Sequence, residues 1–257
     1  MLTTLLPDTR RVAVVGDLHG NYRYMRKALN YAFGHKSETD DLSNADVIVQ
    51  VGDFGYWGNF AEQVEQLLIE QHPGKYVLFV DGNHEHHTRL DAQPVDEDGV
   101  RRLTEHVWHL PRGLTWQWGD QICLAAGGAI SVDRSFREPG YDWFPRERMS
   151  GEEWLRCIQA GKVDIVFAHD APGGYTIPDL PPPSTFPANA IADAEYYRHT
   201  TMDSIGQATQ PEQWYHGHYH VAYEEMIFWD DTGLPCTVTG LNCDGNPLTS
   251  VVKFIDF

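Results

Sequence analysis

Arg11-Val12-Ala13-Val14-Val15-Gly16-Asp17-Leu18-His19 is a short apolar run that breaks at glycine and ends in a carboxylate and an imidazole. A continuous Val-rich run closed by Gly and Asp suits a strand buried on both faces. The pattern recurs along the chain. Asp46-Val47-Ile48-Val49-Gln50-Val51 leads to Gly52-Asp53, Tyr76-Val77-Leu78-Phe79-Val80 leads to Gly82-Asn83-His84-Glu85, and Ile165-Val166-Phe167-Ala168 leads to His169-Asp170. In open α/β sheets, ligands bind beyond the carboxyl ends of such strands. Four distant segments can therefore deliver side chains to one rim, and Gly217-His218-Tyr219-His220 adds two more imidazoles.

Asp17 and His19 are two residues apart, as are His218 and His220. In an extended chain that spacing points both members of a pair to the same side, so each pair is expected to reach one metal without a bend. Carboxylate oxygen, imidazole nitrogen and amide carbonyl together form a mixed O/N set. Such a set suits Mn, Fe, Zn or Ni better than Ca or a thiolate-seeking metal.

Singly, Asp-x-His or Gly-Asp is a weak signal; five such groups in this order form a specific one. The order resembles that of the calcineurin-like metallophosphoesterase superfamily: Asp-x-His, Gly-Asp, Gly-Asn-His-Asp/Glu, a lone His, then Gly-His-x-His. The match runs from residue 17 to residue 220, with long unmatched stretches between the motifs. The resemblance implies a four-layer α/β/β/α sandwich of two mixed sheets flanked by helices; periodicity alone indicates only α/β. It also implies that Asp17, His19 and His220 bind a first metal, that Asn83, His169 and His218 bind a second, and that Asp53 bridges them. His84 would stand beside the metals as proton donor or charge stabiliser. Two divalent transition-metal ions are expected, Mn first, with Fe, Zn or Ni as the others. Such a pair, about 3.5–4 Å apart, holds a hydroxide and clamps the phosphoryl oxygens during in-line displacement.

The chain also departs from better-known branches of that superfamily. Protein Ser/Thr phosphatases and diadenosine tetraphosphatases extend the second motif to Gly-Asp-x-Val-Asp-Arg-Gly and place Arg before Gly-Asn-His-Glu. Here the stretches read Gly52-Asp53-Phe54-Gly55-Tyr56-Trp57-Gly58 and Val80-Asp81-Gly82-Asn83-His84-Glu85, without either arginine. Purple acid phosphatases carry a ligating Tyr at the position of Tyr56 but lack the histidine present here as His19. An aromatic packed beside the centre is the plainer reading of Tyr56, and contact with metal or substrate the sharper one.

Between the motifs, Asn21 to Phe33 places Tyr22, Met25, Ala28, Leu29 and Ala32 at helical spacing, and Asn59 to Gln71 does the same with Phe60, Val64, Leu67 and Leu68. Ser150-Gly151-Glu152-Glu153 opens a helix with a capping box, expected to turn Trp154, Leu155 and Ile158 inward and to end near Gly161. Leu114 to Trp118 and Gln121 to Ala126 form a hairpin pattern around Gly119-Asp120. Tyr223 to Trp229, Cys236 to Thr239 and Val251 to Ile255 suit further strands.

Two segments are placed to select a substrate. Ser131 to Phe144 combines Arg134 and Arg137 with four aromatics; arginine can fork onto phosphate and rings can stack on a base. Arg134 is the preferred phosphate contact because it lies nearer the end of the apolar Leu124 to Ile130 run, while surface ion pairing is the plain alternative. Ala171 to Pro187 holds six prolines and follows His169 directly, so it forms either a pocket wall or a surface connection. His86, His87 and His216 suit positions next to the ligands, whereas His35, His72, His106, His109 and His199 have no ligand spacing. Asp170 either orients an imidazole or caps the next turn.

A chain of 257 residues fits one metallophosphoesterase domain, residues 1–257. No stretch approaches the ~20 apolar residues that span a bilayer, and Met1 to Asp8 lacks the marks of a signal peptide. Cys123, Cys157, Cys236 and Cys243 show no C-x-x-C spacing. A cytoplasmic protein with no membrane partner is expected. The net charge of −18 argues against a broad footprint on nucleic-acid duplex and for a small phosphorylated substrate, such as a nucleotide. The expected activity is dinuclear metal-dependent hydrolysis of small phosphodiesters, cyclic or linear nucleotides among them, by attack of a metal-bridging hydroxide. The alternatives are a phosphomonoesterase or protein Ser/Thr phosphatase, a dinucleoside-polyphosphate hydrolase, and a non-catalytic scaffold of the same fold.

Overall fold

The computed structural model describes residues 2–34, 44–180, 182 and 185–257. His35 and residues 181, 183 and 184 of the proline-rich segment lie outside the described residues.

Continuous apolar runs, buried on both faces, build the centres of two sheets of the same design. In the first, β1 (Arg11–Val15), β2 (Val47–Val51), β3 (Tyr76–Val80) and β5 (Val107–His109) run parallel. The short β4 (Arg101–Arg102) closes one edge antiparallel, and the C-terminal β12 (Val252–Asp256) the other. In the second, β7 (Gln121–Ala126), β8 (Ile165–Ala168), β9 (Gln213–His216) and β11 (Pro235–Gly240) are parallel. Here β6 (Thr115–Trp118) and β10 (Tyr223–Phe228) are the antiparallel edges.

Successive side chains of a strand point to opposite faces, and the core divides accordingly. Val12, Val14, Val47, Val49, Leu78 and Val80 face Trp116, Trp118, Cys123, Ala125, Phe167 and Tyr215 across the space between the sheets. Ala13, Val15, Ile48, Val77 and Phe79 pack outward on α1 (Tyr22–Phe33) and α2 (Phe60–Gln71). Leu124, Ala126, Val166, Ala168 and Trp214 pack outward on α4 (Gly151–Ile158), α5 (Ala188–Tyr197) and α6 (Asp203–Thr209). Three apolar layers separate four structural ones, so the fold is the α/β/β/α sandwich with mixed sheets. Trp116 stacks on Phe167 at 5.8 Å between the sheets, and burial of each such ring contributes roughly 2–3 kcal/mol.

Asn21 caps α1 by accepting the Tyr24 N–H at 3.1 Å, and Ser150 with Glu153 closes the capping box of α4. Tyr22 and Leu155, expected inward, are exposed at 41% and 43%; Tyr24 and Cys157 take the buried positions. Helix α4 ends at Ile158 rather than near Gly161. The remaining helices are α3 (His87–Asp91) and α7 (Leu248–Val251), and a π-helical turn, Arg198–Met202, joins α5 to α6. Among the described residues no helix is long and apolar enough to cross a membrane.

Candidate metal centre

The carboxyl ends of β1, β2, β3, β8 and β9 converge where the two sheets meet, and each opens directly into one of the five motif loops. The backbone there is not extended. His19, Asp53, His218 and His220 have φ of 48°, 53°, 66° and 54°, in the left-handed region that Asp and His tolerate better than most residues. The expectation that each two-residue spacing works through straight chain is therefore corrected. The pairs converge because the backbone turns at every second member. The turn after Asp17 is held from the neighbouring loop, where the Asp53 carbonyl accepts both Leu18 N–H at 3.1 Å and His19 N–H at 2.8 Å. Strained conformations of this kind cost on the order of 1–3 kcal/mol each and persist where surrounding bonds determine them.

Asp17, Asp53, Asn83 and His169 are buried at the floor, and the rings of His19, His84 and His220 rise from it part-exposed. Asp53 stands at the middle. Its Oδ1 lies 3.3 Å from His169 Nε2, and its Oδ2 lies 3.5 Å from His19 Nε2 and 3.9 Å from His84 Nε2. Asp17 Oδ2 is 3.1 Å from His220 Nε2, and the Asp17 carboxylate accepts the His218 N–H. Asn83 Oδ1 is 3.0 Å from His169 Nε2, and the His169 and His218 rings lie 5.1 Å apart. Asp17, His19 and His220 offer ligand atoms within 4.8 Å of one another, as do Asp17, Asp53 and His169. Asp17 thus belongs to both triads, while Asp53 spans the two sides with one oxygen each.

Neighbouring groups set the orientation of the ligand atoms. His19 Nδ1 is 2.9 Å from Asp244 Oδ1 and His169 Nδ1 is 2.8 Å from the Val51 carbonyl, which leaves each Nε2 facing inward. Asn83 Nδ2 donates to Ser131 Oγ at 3.0 Å, and that hydroxyl donates to Glu147, so the amide presents its oxygen to the centre. Glu85 holds the loop that carries Asp53. Its two oxygens accept the N–H groups of Phe54 at 2.7 Å, Gly55 at 3.1 Å and Tyr56 at 2.6 Å.

The donor set suits divalent cations of the Mn, Fe, Zn and Ni kind, because two buried carboxylates face imidazoles and an amide oxygen with little else to neutralise them. Burial opposes a proton on His169, yet Asp53 and then Asp17 prevail and push the imidazole up to about 10. Burial likewise opposes His19 and His220, yet Asp53 with Asp17 raises the first to about 9, and Asp17 with Cys243 raises the second to about 10. Burial would raise Asp53, but His169 and His84 hold it well below the usual range.

Not every expected residue joins it. Arg134, preferred for phosphate contact, pairs with Asp193 on α5 and does not line the pocket, so the preference between the two arginines is corrected. The arginine at the pocket is Arg137. Tyr56 is 4% exposed, packed in the core under α2 with the Arg89 guanidinium 4.7 Å from its ring centre, and it does not line the pocket either. His86 caps α3 and lines the pocket. His216 is buried with Nε2 on the Tyr223 hydroxyl at 2.7 Å. Asp170 caps the next turn, accepting the Ala171 N–H and the Tyr219 hydroxyl, both at 2.7 Å. Gly174 to Ile177 and Leu180 of the proline-rich segment line a separate cavity of about 490 Å³ with Arg198 and His199. Sequence reasoning missed Asp244, Ser131 and Glu147 as positioning groups, and it assigned Glu85 no role.

The chain belongs to the calcineurin-like phosphoesterase family, whose model matches residues 10–222. Membership makes its chemistry metal-dependent hydrolysis of phosphate esters. No curated protein matches it in sequence. Among solved structures it is similar to the phosphopantetheinyl hydrolase of Mycobacterium tuberculosis, with 10% identity over 96% of each chain and a TM-score of 0.47. It is also similar to GAP50, the anchor in the inner membrane complex of Plasmodium, with 14% identity over 90% of this chain and 71% of that one and a TM-score of 0.43. A Saccharomyces cerevisiae protein serine/threonine phosphatase, itself described as similar to human PP5, shares 12% identity over 98% and 81% of the chains with a TM-score of 0.36.

Proposed function

We propose that this chain hydrolyses small phosphodiesters, cyclic or linear nucleotide derivatives among them, with two divalent transition metals of which Mn is the first choice. Asp17, His19 and His220 would hold one ion and Asn83, His169 and His218 the other, with Asp53 between them. The observation that carries the proposal is the placement of Asp53, whose two oxygens face His169 and His19 on opposite sides.

Bound cations of this kind supply a nucleophile at neutral pH and neutralise phosphoryl charge. The chain supplies the proton-handling group. A guanidinium only donates, so in its 3.2 Å contact with Arg137 Nη2, His84 Nε2 is the acceptor, at the wall of the pocket that both residues line. Burial lowers His84, Asp53 works against that, and Arg137 adds to it. Once that contact is released to substrate, Nε2 can take a proton from water and return it to the leaving alkoxide. The backbone fixes the ring, since the His84 N–H donates to Asp53 Oδ1 at 2.7 Å and its carbonyl accepts Trp57 Nε1 at 2.9 Å.

The pocket above has a volume of about 710 Å³, in the range of small-molecule sites. Trp57 and His86 form an aromatic pair on one side, their rings 5.2 Å apart, with the buried Phe144 stacked behind His86 at 5.0 Å. Tyr141, 73% exposed, also lines it. Such surfaces suit a base or another planar leaving group. A net charge of −18 supports a small substrate over a duplex. Four free cysteines, three of them buried, support a cytoplasmic setting. One observation favours a monoesterase or a dinucleoside-polyphosphate hydrolase instead: a guanidinium is present at the pocket.

Metal-stripped protein resupplied with Mn tests the proposal on bis-p-nitrophenyl phosphate and p-nitrophenyl phosphate, beside Asp53→Asn and His84→Ala. Mn-dependent diester cleavage that is lost in Asp53→Asn is expected. Cleavage of the monoester alone would overturn the diester assignment, and cleavage of neither with no metal retained would favour the scaffold alternative.

A further inference from the structure

The single turn of 3-10 helix from Arg134 to Phe136 brings Asp133 and Arg137, its two flanking residues, together at the mouth of the pocket. The pair is bidentate, with Arg137 Nε 2.9 Å from Asp133 Oδ1 and Nη2 2.6 Å from Oδ2. Nη2 also reaches His84 Nε2 at 3.2 Å, and Nη1 reaches the Asp142 carbonyl at 3.3 Å. A guanidinium carries five N–H donors. These contacts leave one N–H on Nη1 without a partner among the described residues. Arg137 is therefore a fixed, planar donor beside the group that handles protons, with a direction still open.

Its charge, however, is already met. Asp133 cancels it, and Asp142, which accepts the Glu138 N–H at 2.5 Å, adds a further carboxylate to the same loop and pocket. The loop's contribution is net negative. A phosphodiester brings one negative charge, whereas a monoester near neutral pH brings close to two, and like charges in a confined site repel.

We infer, on the basis of the phosphodiester reading above, that the Arg137–Asp133 pair is the specificity device of this pocket. Arg137 meets a phosphoryl oxygen, and the carboxylate bound to it disfavours dianionic monoesters relative to monoanionic diesters. A pair that only stapled the loop would change stability and leave the choice between esters alone.

The experiment uses the full chain loaded with Mn, as wild type, Asp133→Asn and Arg137→Ala. Steady-state kinetics are measured on both nitrophenyl esters, and binding of inorganic phosphate is measured by calorimetry. Asn removes the charge and keeps one acceptor oxygen for Arg137, at the cost of setting its NH₂ against the second N–H of the bidentate pair. Asp133→Asn is expected to raise kcat/KM for the monoester relative to the diester by about tenfold or more, chiefly through KM, and to tighten phosphate binding. Arg137→Ala is expected to weaken phosphate binding and to lower kcat/KM for the diester by roughly tenfold to a hundredfold. An unchanged ester ratio in Asp133→Asn, or wild-type phosphate affinity in Arg137→Ala, overturns the inference. Should the wild type cleave neither ester, the phosphodiester reading falls by itself. Phosphate binding then decides the pair: weakening in Arg137→Ala with tightening in Asp133→Asn supports it, and any other pattern overturns it.

Discussion

Asp244 Oδ1 lies 2.9 Å from His19 Nδ1, joining residues 225 positions apart in the chain. Its other oxygen accepts Asn21 Nδ2 at 2.6 Å, and its backbone N–H donates to the Asp17 carbonyl at 2.8 Å. One residue of the loop after β11 therefore fixes the tautomer of His19, the helix-capping Asn21 and the backbone of Asp17.

Asp244→Ala is expected to weaken Mn binding by about 10–100-fold, because a ligating imidazole without its carboxylate partner loses both orientation and basicity. Mn titration by calorimetry measures the effect, with circular dichroism as the check on the fold. Unchanged affinity in a folded variant would show that His19 is held by other means.

Glu85 lies 0% exposed beneath the Gly52 to Tyr56 loop. Burial and the nearby Asp53 push its carboxyl up to about 8, against three backbone N–H groups that favour the charged form. Glu85→Gln sets an amide NH₂ against a backbone N–H and is expected to destabilise the protein by about 1–3 kcal/mol. It should also lower metal affinity, since Asp53 rides on that loop. Urea unfolding of the metal-stripped variant, followed by Mn titration, separates the two effects.

Four strands and their terminal side chains were legible in the sequence because fully buried parallel strands read as continuous Val and Ile runs. Strand β9, Gln213-Trp214-Tyr215-His216, was not legible, since its polar ends mask a core contribution made by two large rings. Strands β4 and β5 are too short for any periodicity. The ligand types were legible, but the left-handed turns at His19, Asp53, His218 and His220 were not, because they are imposed by bonds between loops. Asp244 and Ser131 could not be found from spacing, as each acts on a ligand far away in the chain. The Arg134 preference rested on distance along the chain from an apolar run. In the folded protein the 3-10 turn points that side chain at Asp193 and brings Arg137 to the pocket instead.

Glycines inside the motifs mark places where one loop presses on another's ligand. A Cβ on Gly217 would lie 1.8 Å from Asp17 Oδ1, and one on Gly82 would lie 2.1 Å from Asp53 Oδ1. Neither carboxylate can retreat, because both are buried and bonded from several sides. Gly217→Ala and Gly82→Ala are each expected to displace the carboxylate and abolish Mn-dependent turnover, with a stability loss of about 1–3 kcal/mol from overpacking. Gly233→Ala, where a Cβ meets nothing within 4 Å but φ is 66°, is the control for backbone strain alone and should leave metal binding intact.

Glu153 links the capping box of α4 to the buried arginine beside the centre. Its Oε2 lies 2.8 Å from Arg146 Nη1 and 3.4 Å from Arg112 Nη1, and Arg112 also holds Asp81, two residues before Asn83. Burial would raise the Glu153 carboxyl, but Arg112 and then Arg146 override it and hold it below the usual glutamate value of 4.5. An acid whose folded-state value is depressed contributes stability that is fully present above its unfolded-state value and is lost as pH falls through the folded one. Glu153→Gln is therefore expected to be less stable than wild type at neutral pH by roughly 1–3 kcal/mol, the scale of a hydrogen bond to a charged group. The gap should hold down to about pH 4.5 and narrow below it, as the wild-type carboxyl takes up its proton and both proteins present a neutral group to Arg112. Urea unfolding at neutral pH, near pH 4.5 and near pH 3 measures the gap. A difference that stays constant across that range would show that Glu153 contributes through packing and the α4 cap rather than through its charge.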